Sequence, residues 1–147
     1  MTNYIVMNKT ISKNSSSVGC WKLLGFWIIT LILSQFMRIL FAKATVFNLG
    51  LAFGVMIPNQ LIIPVMVLFL LLILIWYFKT LPKSLYEIAG FGMILGGGTS
   101  NLLERFMFAG KVADYWPLFN ISTINLADVF IGLGILIMLV MFIYRAK

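Results

Sequence analysis

Four carboxylates carry all the acidic side-chain chemistry of this chain: Glu87, Glu104, Asp114 and Asp128. There is no His, and Cys20 is the one cysteine. His-based triads, His metal ligands and His proton shuttles are therefore excluded. So are an internal disulfide and a Cys-cluster metal site. No metal and no cofactor are expected. Asp128 follows Asn125 by three residues, a spacing that places both on one face of a helix. Asp114 precedes Asp128 by a 13-residue segment, long enough to fold back on it. Two carboxylates at one partly dry site do not both ionise easily, so one pKa rises and the pair shares a proton. The ionised partner can then act as base toward a water while the protonated one donates to a carbonyl or leaving group. That is the minimum kit for aspartyl peptide hydrolysis. The same residues allow a plainer reading, with Asp114 an ordinary loop carboxylate and Asp128 an N-terminal acid favoured by a helix dipole.

The elements that must position these groups follow from composition. The chain has 147 residues, 62% of them hydrophobic and 10% charged, with mean hydropathy +1.05. A soluble domain carries about 25% charged residues, so this composition describes an integral membrane protein of one domain. A membrane-spanning helix needs about 20 predominantly apolar residues. Four stretches qualify: residues 21–41, 59–78, 85–103 and 126–144. Residues 1–20 are polar and mixed, and are expected to form a mobile tail on the 21–147 domain rather than a cleaved signal peptide. The stretch from Lys43 to Pro58 holds Gly50 and Gly54 and is expected to form a loop or short strands at the interface. The fold class expected is all-α and membrane-embedded, with four transmembrane helices and a small β or loop cradle on the outer side.

Four spans put both termini on one side. Lys9, Lys13, Lys22, Lys79, Lys83, Arg145 and Lys147 fall there, against Arg38, Lys43, Arg105 and Lys111 on the other. The positive-inside rule places the termini in the cytoplasm. The net charge of +7 does not indicate nucleic acid, because the basic residues form no stripe; they suit anionic lipid headgroups.

The remaining polar residues gather at the outer ends of the spans. Ser34, Gln35 and Arg38 end the first; Asn101, Glu104 and Arg105 end the third; Asn125 and Asp128 open the fourth; Asn48 lies in the first outer loop. Polar groups at membrane depth cost free energy unless partnered or hydrated, so groups from several spans at one depth indicate one shared site. Arg38 and Arg105 could snorkel to headgroups, or hold a substrate carbonyl or lipid phosphate, or pair with an acid. Asn48 could turn the chain before Gly50 or clamp an extended peptide. Gly96, Gly97 and Gly98 suit close helix packing; no Lys-Ser/Thr follows them, so they are not a phosphate loop.

Three segments in order, Asn48-Leu49-Gly50-Leu51-Ala52-Phe53, Gly96 to Arg105 with Gly110 to Asp114, and Asn125-Leu126-Ala127-Asp128, together resemble the lipoprotein signal peptidase (signal peptidase II) family. Asn48-Leu49-Gly50-Leu51-Ala52-Phe53 is similar to the family's N-x-G-x-A-F block. The run from Gly96 to Arg105, followed by Gly110-Lys111-Val112-Ala113-Asp114, resembles its G-x-x-x-N-x-x-D-R and G-x-V-x-D blocks. Asn125-Leu126-Ala127-Asp128 matches N-x-A-D, and Gln35 and Arg38 occupy the places of Gln and Lys in D-Q-x-x-K. The resemblance implies an intramembrane aspartyl endopeptidase of the bacterial inner membrane. Its substrates would be prolipoproteins carrying a diacylglyceryl-Cys, cut just before that Cys. It places Asp114 and Asp128 on the catalytic pair. Asn48, Gly50, Asn101, Arg105 and Asn125 fall on substrate-holding positions, with Gln35, Arg38 and Glu104 in support. Membrane lipid and globomycin-type inhibitors are the other expected ligands, and the expected state is a monomer.

Departures from the family pattern fall around the site. Ser34 stands for the first-span Asp, Arg38 for Lys, and Glu104 for the Asp before Arg105. The segments 39–47 and 115–124 are short. A relative that binds lipidated peptides without cutting them is the alternative reading. A proton-coupled transporter ranks lower, because the acids lie at one edge of the bilayer and no internal repeat is visible.

Overall fold

In a computed structural model, residues 2–49, 58–81, 84–118 and 122–145 are described, with backbone alone for 2–17 and 59. Four helices account for most of the chain: α1 (Thr2–Leu40), α2 (Asn59–Thr80), α3 (Leu85–Met107) and α4 (Leu126–Arg145). Three of them, over Val18–Leu40, Gln60–Thr80 and Leu126–Arg145, are long and apolar enough to cross a membrane. The fourth, α3, is the bundle's centre, with its buried face running from Glu87 to Arg105. Its many glycines and site residues lower its apolarity, and its neighbours shield it from lipid. The outward faces of α1, α2 and α4 carry exposed Ile, Leu, Val and Phe, as a lipid-facing surface requires.

The four-helix fold with its small strands matches the fold class expected from sequence. Two helix ends lie more than two residues outside the expected spans. The backbone from Thr2, expected as a mobile tail, is helical and continuous with the first span; an established span supplies the costly helix nucleus, so extension adds one hydrogen bond per residue. The third helix runs to Met107 rather than residue 103, so Glu104 and Arg105 sit within it along with Asn101. A sharp turn ends it: Ala109 has φ 51° and Gly110 φ 89°, and the Gly110 N–H donates back to the Arg105 carbonyl at 2.7 Å. This is a left-handed helix stop, for which glycine is the low-strain residue.

The glycine run fixes how α3 meets its neighbours. Successive helical residues point 100° apart, so Gly96, Gly97 and Gly98 face three different helices. A Cβ at Gly96 would lie 2.7 Å from the Trp27 carbonyl oxygen of α1. At Gly97 it would lie 2.5 Å from the Ala127 oxygen of α4, and at Gly98 2.6 Å from Leu70 of α2. Gly134, one heptad beyond Ala127, would similarly meet the Gly90 oxygen at 2.7 Å. Ala127 and Gly134 are the buried residues of α4. Close backbone approach through small residues is the usual means of packing helices in lipid, and it sets Asp128 directly against α3.

The strands lie together at one end of the bundle. After a 3₁₀ turn at Ala42–Ala44, β1 (Val46–Asn48) pairs antiparallel with β2 (Val112–Asp114), Asn48 opposite Val112 and Val46 opposite Asp114. A second ribbon joins β3 (Trp116–Leu118) to β4 (Ser122–Ile124), which leads into α4. Phe41 ties these strands to α1, stacking on Tyr115 at 5.1 Å and meeting Trp116 edge-on at 5.8 Å. At the far end a core of Leu23, Tyr77, Ile88, Phe91 and Leu95 closes the bundle, and Arg145 pairs with buried Glu87 at 2.8 Å.

Candidate active site

Asp114 is the last residue of β2 and is 2% exposed. Residues two apart on a strand share a face, so Asp114 and Val112 face the same way. Asn48, opposite Val112, is then the diagonal neighbour of Asp114. Its side-chain nitrogen donates to Asp114 Oδ2 at 3.0 Å. Asn125 donates to the other oxygen, Oδ1, at 2.9 Å.

Asn125 immediately precedes α4 and caps it. Its Oδ1 accepts the N–H of Asp128 at 3.0 Å, and the Asp128 carboxylate accepts the N–H of Asn125 at 3.2 Å. This is a capping box, with Asp in the third helical position. A backbone N–H can only donate, so it fixes which end of the Asn125 amide is oxygen. The Asn125 nitrogen must then donate, and it does so to Asn101 Oδ1 at 3.1 Å as well as to Asp114. The Asn101 nitrogen in turn donates to Asp128 Oδ1 at 2.8 Å. Asp128, Asn125 and Asn101 thus form a closed ring of hydrogen bonds, with Asp114 attached through Asn125.

A second network lies behind the first. Glu104, 2% exposed, accepts the Ala113 N–H at 2.8 Å through Oε2. Its Oε1 accepts from Gln35 at 3.3 Å and lies 4.0 Å from Arg38 Nε. Gln35 also donates to Ser100 at 2.8 Å and accepts from Arg38 at 3.0 Å. The Arg38 guanidinium sits over the Phe108 ring at 5.5 Å. Arg105 donates to the Gly110 carbonyl at 2.6 Å and lies near enough to favour the ionised form of Asp114.

Burial pushes the Asp114 carboxyl up to about 6, opposed by the Asn48 amide, reinforced by the nearby Asp128 charge, and opposed again by Asn125 and Arg105. Burial also raises the Tyr115 phenol, whose oxygen accepts the Leu126 N–H at 2.9 Å.

Every described candidate residue therefore falls at this end of the bundle: Gln35, Arg38, Asn48, Asn101, Glu104, Arg105, Asp114, Asn125 and Asp128. Gly50 lies outside the described residues. Asn48 is a strand residue rather than a turn. Sequence reasoning passed over Tyr115 and Ser100. Tyr115 adjoins Asp114, and a Tyr at membrane depth needs a partner for its hydroxyl; Ser100 lies one turn before Glu104 and gives no distinct signal.

The sequence matches the family described as Signal peptidase (SPase) II over residues 5–144. A lipoprotein signal peptidase of Campylobacter jejuni subsp. jejuni (strain 81-176) is 35% identical over 105 residues, covering 68% of this chain and 66% of that protein. A relative of the same name from Campylobacter jejuni subsp. doylei is 40% identical over 79 residues, 52% of this chain and 49% of its own length. One from Halothermothrix orenii is 35% identical over 97 residues, 62% and 63% of the two chains. The chain thus spans about half to two thirds of the length of these curated relatives. A solved structure described as a bacterial membrane enzyme superposes with TM-score 0.76 at 14% identity, covering 85% of this chain and 89% of the other, a likeness of fold.

Proposed function

Because this chain belongs to the signal peptidase II family, we propose that it is an aspartyl endopeptidase that removes signal peptides from diacylglyceryl-modified prolipoproteins. The cut falls just before the lipidated Cys. Asp114 and Asp128 are the catalytic pair; Asn48, Asn101, Arg105 and Asn125, with Gly50, hold the substrate. The single observation that carries this reading is the joining of two acids from separate elements by Asn125, which donates to Asp114 and exchanges two hydrogen bonds with Asp128.

The depth of the site supports cleavage within the bilayer. Trp76, Tyr86 and Tyr144 are exposed near the helix ends opposite the strands, and Trp21 near the start of the apolar span Val18–Leu40, as interfacial aromatics are. At 1.5 Å per residue, residues 128 and 144 lie about 24 Å apart along α4. The hydrocarbon core is about 30 Å thick, so Asp128 lies about 6 Å beneath the opposite boundary. A substrate helix reaching that depth must unwind to expose its peptide bond. Amide side chains then replace the hydrogen bonds its backbone loses. One carboxylate takes a proton from water as the water oxygen bonds to the carbonyl carbon, and the other acid protonates the carbonyl oxygen. The protein sits as a monomer in the bacterial cytoplasmic membrane with both termini cytoplasmic and the strands on the outer side.

Mass spectrometry of products tests the reading. Purified protein in detergent, given a diacylglyceryl-modified prolipoprotein, should release the signal peptide at the bond before the lipidated Cys, and globomycin should block release. A substrate that binds but stays whole would instead indicate the non-cutting relative.

A further inference from the structure

We propose that Asp114 carries the shared proton at rest and Asp128 is the ionised partner, so that Asp128 is the base toward water and Asp114 the acid toward the substrate carbonyl. The inference rests on the peptidase reading and assigns a role to each carboxylate within it.

The two acids receive different kinds of donor. Asp128 Oδ2 accepts a backbone N–H, that of Asn125 at 3.2 Å, and no proton shift can reverse that bond. Asp128 Oδ1 accepts from the Asn101 amide at 2.8 Å, whose orientation the closed ring fixes. Both bonds favour the carboxylate. Asp128 also lies in the first turn of a 20-residue helix, where the aligned backbone dipoles stabilise negative charge.

Asp114 is served by two side-chain amides, Asn48 and Asn125. The backbone donors on either side of it are committed elsewhere. The Ala113 N–H goes to Glu104 Oε2 at 2.8 Å, and the Tyr115 N–H to the Ile124 carbonyl at 3.1 Å. The first of these bonds also draws a second carboxylate toward Asp114. The charged and titratable groups that face Asp114 are Asp128 from α4, Glu104 and Arg105 from α3, and the adjoining Tyr115, with Arg38 of α1 facing Glu104. Two acids against one nearby guanidinium make Asp114 a group on which a proton relieves repulsion, and this adds to burial, the larger cause, in raising its carboxyl to about 6.

The steps balance. Asp128 removes a proton from water as the water oxygen bonds to the carbonyl carbon, and Asp114 gives its proton to the carbonyl oxygen, forming a neutral gem-diol. Asp128 then protonates the departing nitrogen as the C–N bond breaks. Asp114 recovers a proton from one hydroxyl, and the resting state returns.

The chain contains two aspartates, Asp114 and Asp128, so carbon-13 at the aspartate side-chain carboxyl gives two signals. Cell-free synthesis keeps the label out of Asn. Asp114→Glu and Asp128→Glu each delete one labelled signal while keeping a carboxylate, and either variant alone assigns both. In the wild-type protein, the signal absent from Asp114→Glu should move to its protonated position as pH falls through about 6. The other should stay at its ionised position over that range. The reverse order, or two signals moving together by halves, would overturn the proposal. No substrate is present, so this result is separable from the functional reading: an inactive protein with the expected titration would overturn the peptidase and not the proton assignment.

Discussion

The side-chain nitrogen of Asn125 lies 2.9 Å from Oδ1 of Asp114, and the backbone of α4 holds it there. The Asp128 N–H occupies the Asn125 oxygen, so the amide cannot turn round without leaving that donor unpaired. One residue thus caps a helix, binds one acid and exchanges hydrogen bonds with the other. Asn125→Ala should lower stability by about 1–3 kcal/mol, from the lost cap and buried amide bonds. Cleavage should fall about a hundredfold, the usual cost of a misplaced catalytic group. Thermal melts and single-turnover cleavage check the two effects separately.

That residue also shows how far the sequence was legible. Four apolar runs gave the helices, because hydrocarbon admits few other structures. The three-residue spacing of Asn125 and Asp128 placed both at one helix start. The strand positions of Asn48 and Asp114 did not follow from spacing. β1 is three residues long and pairs with a partner more than sixty positions away, and no local pattern encodes such a register. The tether from Glu104 to the Ala113 N–H was hidden for a similar reason, since its acceptor is a side chain and its donor is backbone. α3 extends past residue 103 because Glu104 and Arg105, although charged, are still helical, and the stop is made by Ala109 and Gly110.

Stability should separate the two acids. The Asp114 carboxyl is raised to about 6 from 3.8, so folding binds its proton more tightly than the unfolded chain does. Its unfavourable contribution is absent below pH 3.8, grows as pH rises toward 6, and is complete above that. Asp114→Asn should therefore match or exceed the wild-type melting temperature at pH 8. Asp128→Asn loses half of a capping box, should be less stable by about 1 kcal/mol and should melt lower. A calorimetric comparison at pH 8 and pH 5 checks both, and the advantage of Asp114→Asn should shrink at the lower pH.

The same shift predicts how rate depends on pH. kcat/KM reports the free enzyme, and the proposed pair needs one proton to work. It should decline as pH rises through about 6, where Asp114 loses its proton. Asp128→Asn removes the neighbouring charge that raises Asp114, so in that variant the Asp114 carboxyl should titrate lower. A pH–rate profile of the wild type and carboxyl NMR of the variant check the two statements.

Gly97 controls the distance from α3 to the helix that carries Asp128. Gly97→Ala would place a methyl 2.5 Å from the Ala127 oxygen, and backbone on both sides leaves α4 to move. Cleavage should fall about a hundredfold. Gly25→Ala meets nothing within 4 Å and serves as the control, with cleavage unchanged.

Glu104 holds β2 through the Ala113 N–H, which predicts a positioning role rather than contact with substrate. Glu104→Ala frees the Ala113 N–H and with it β2, so kcat should fall about tenfold or more with KM little changed, the pattern of a lost transition-state interaction. Glu104→Gln keeps an acceptor oxygen for that N–H and should recover part of the loss. Steady-state kinetics on both variants check the split; equal damage from both would contradict a positioning role.

The most direct test of the catalytic pair is a single-turnover gel-shift assay on a diacylglyceryl-modified prolipoprotein, with wild type, Asp114→Asn and Asp128→Asn side by side. The expected result is conversion by the wild type and none by either variant, with both variants folded and still able to bind the substrate. Conversion at near wild-type rate by either folded variant would contradict the pair.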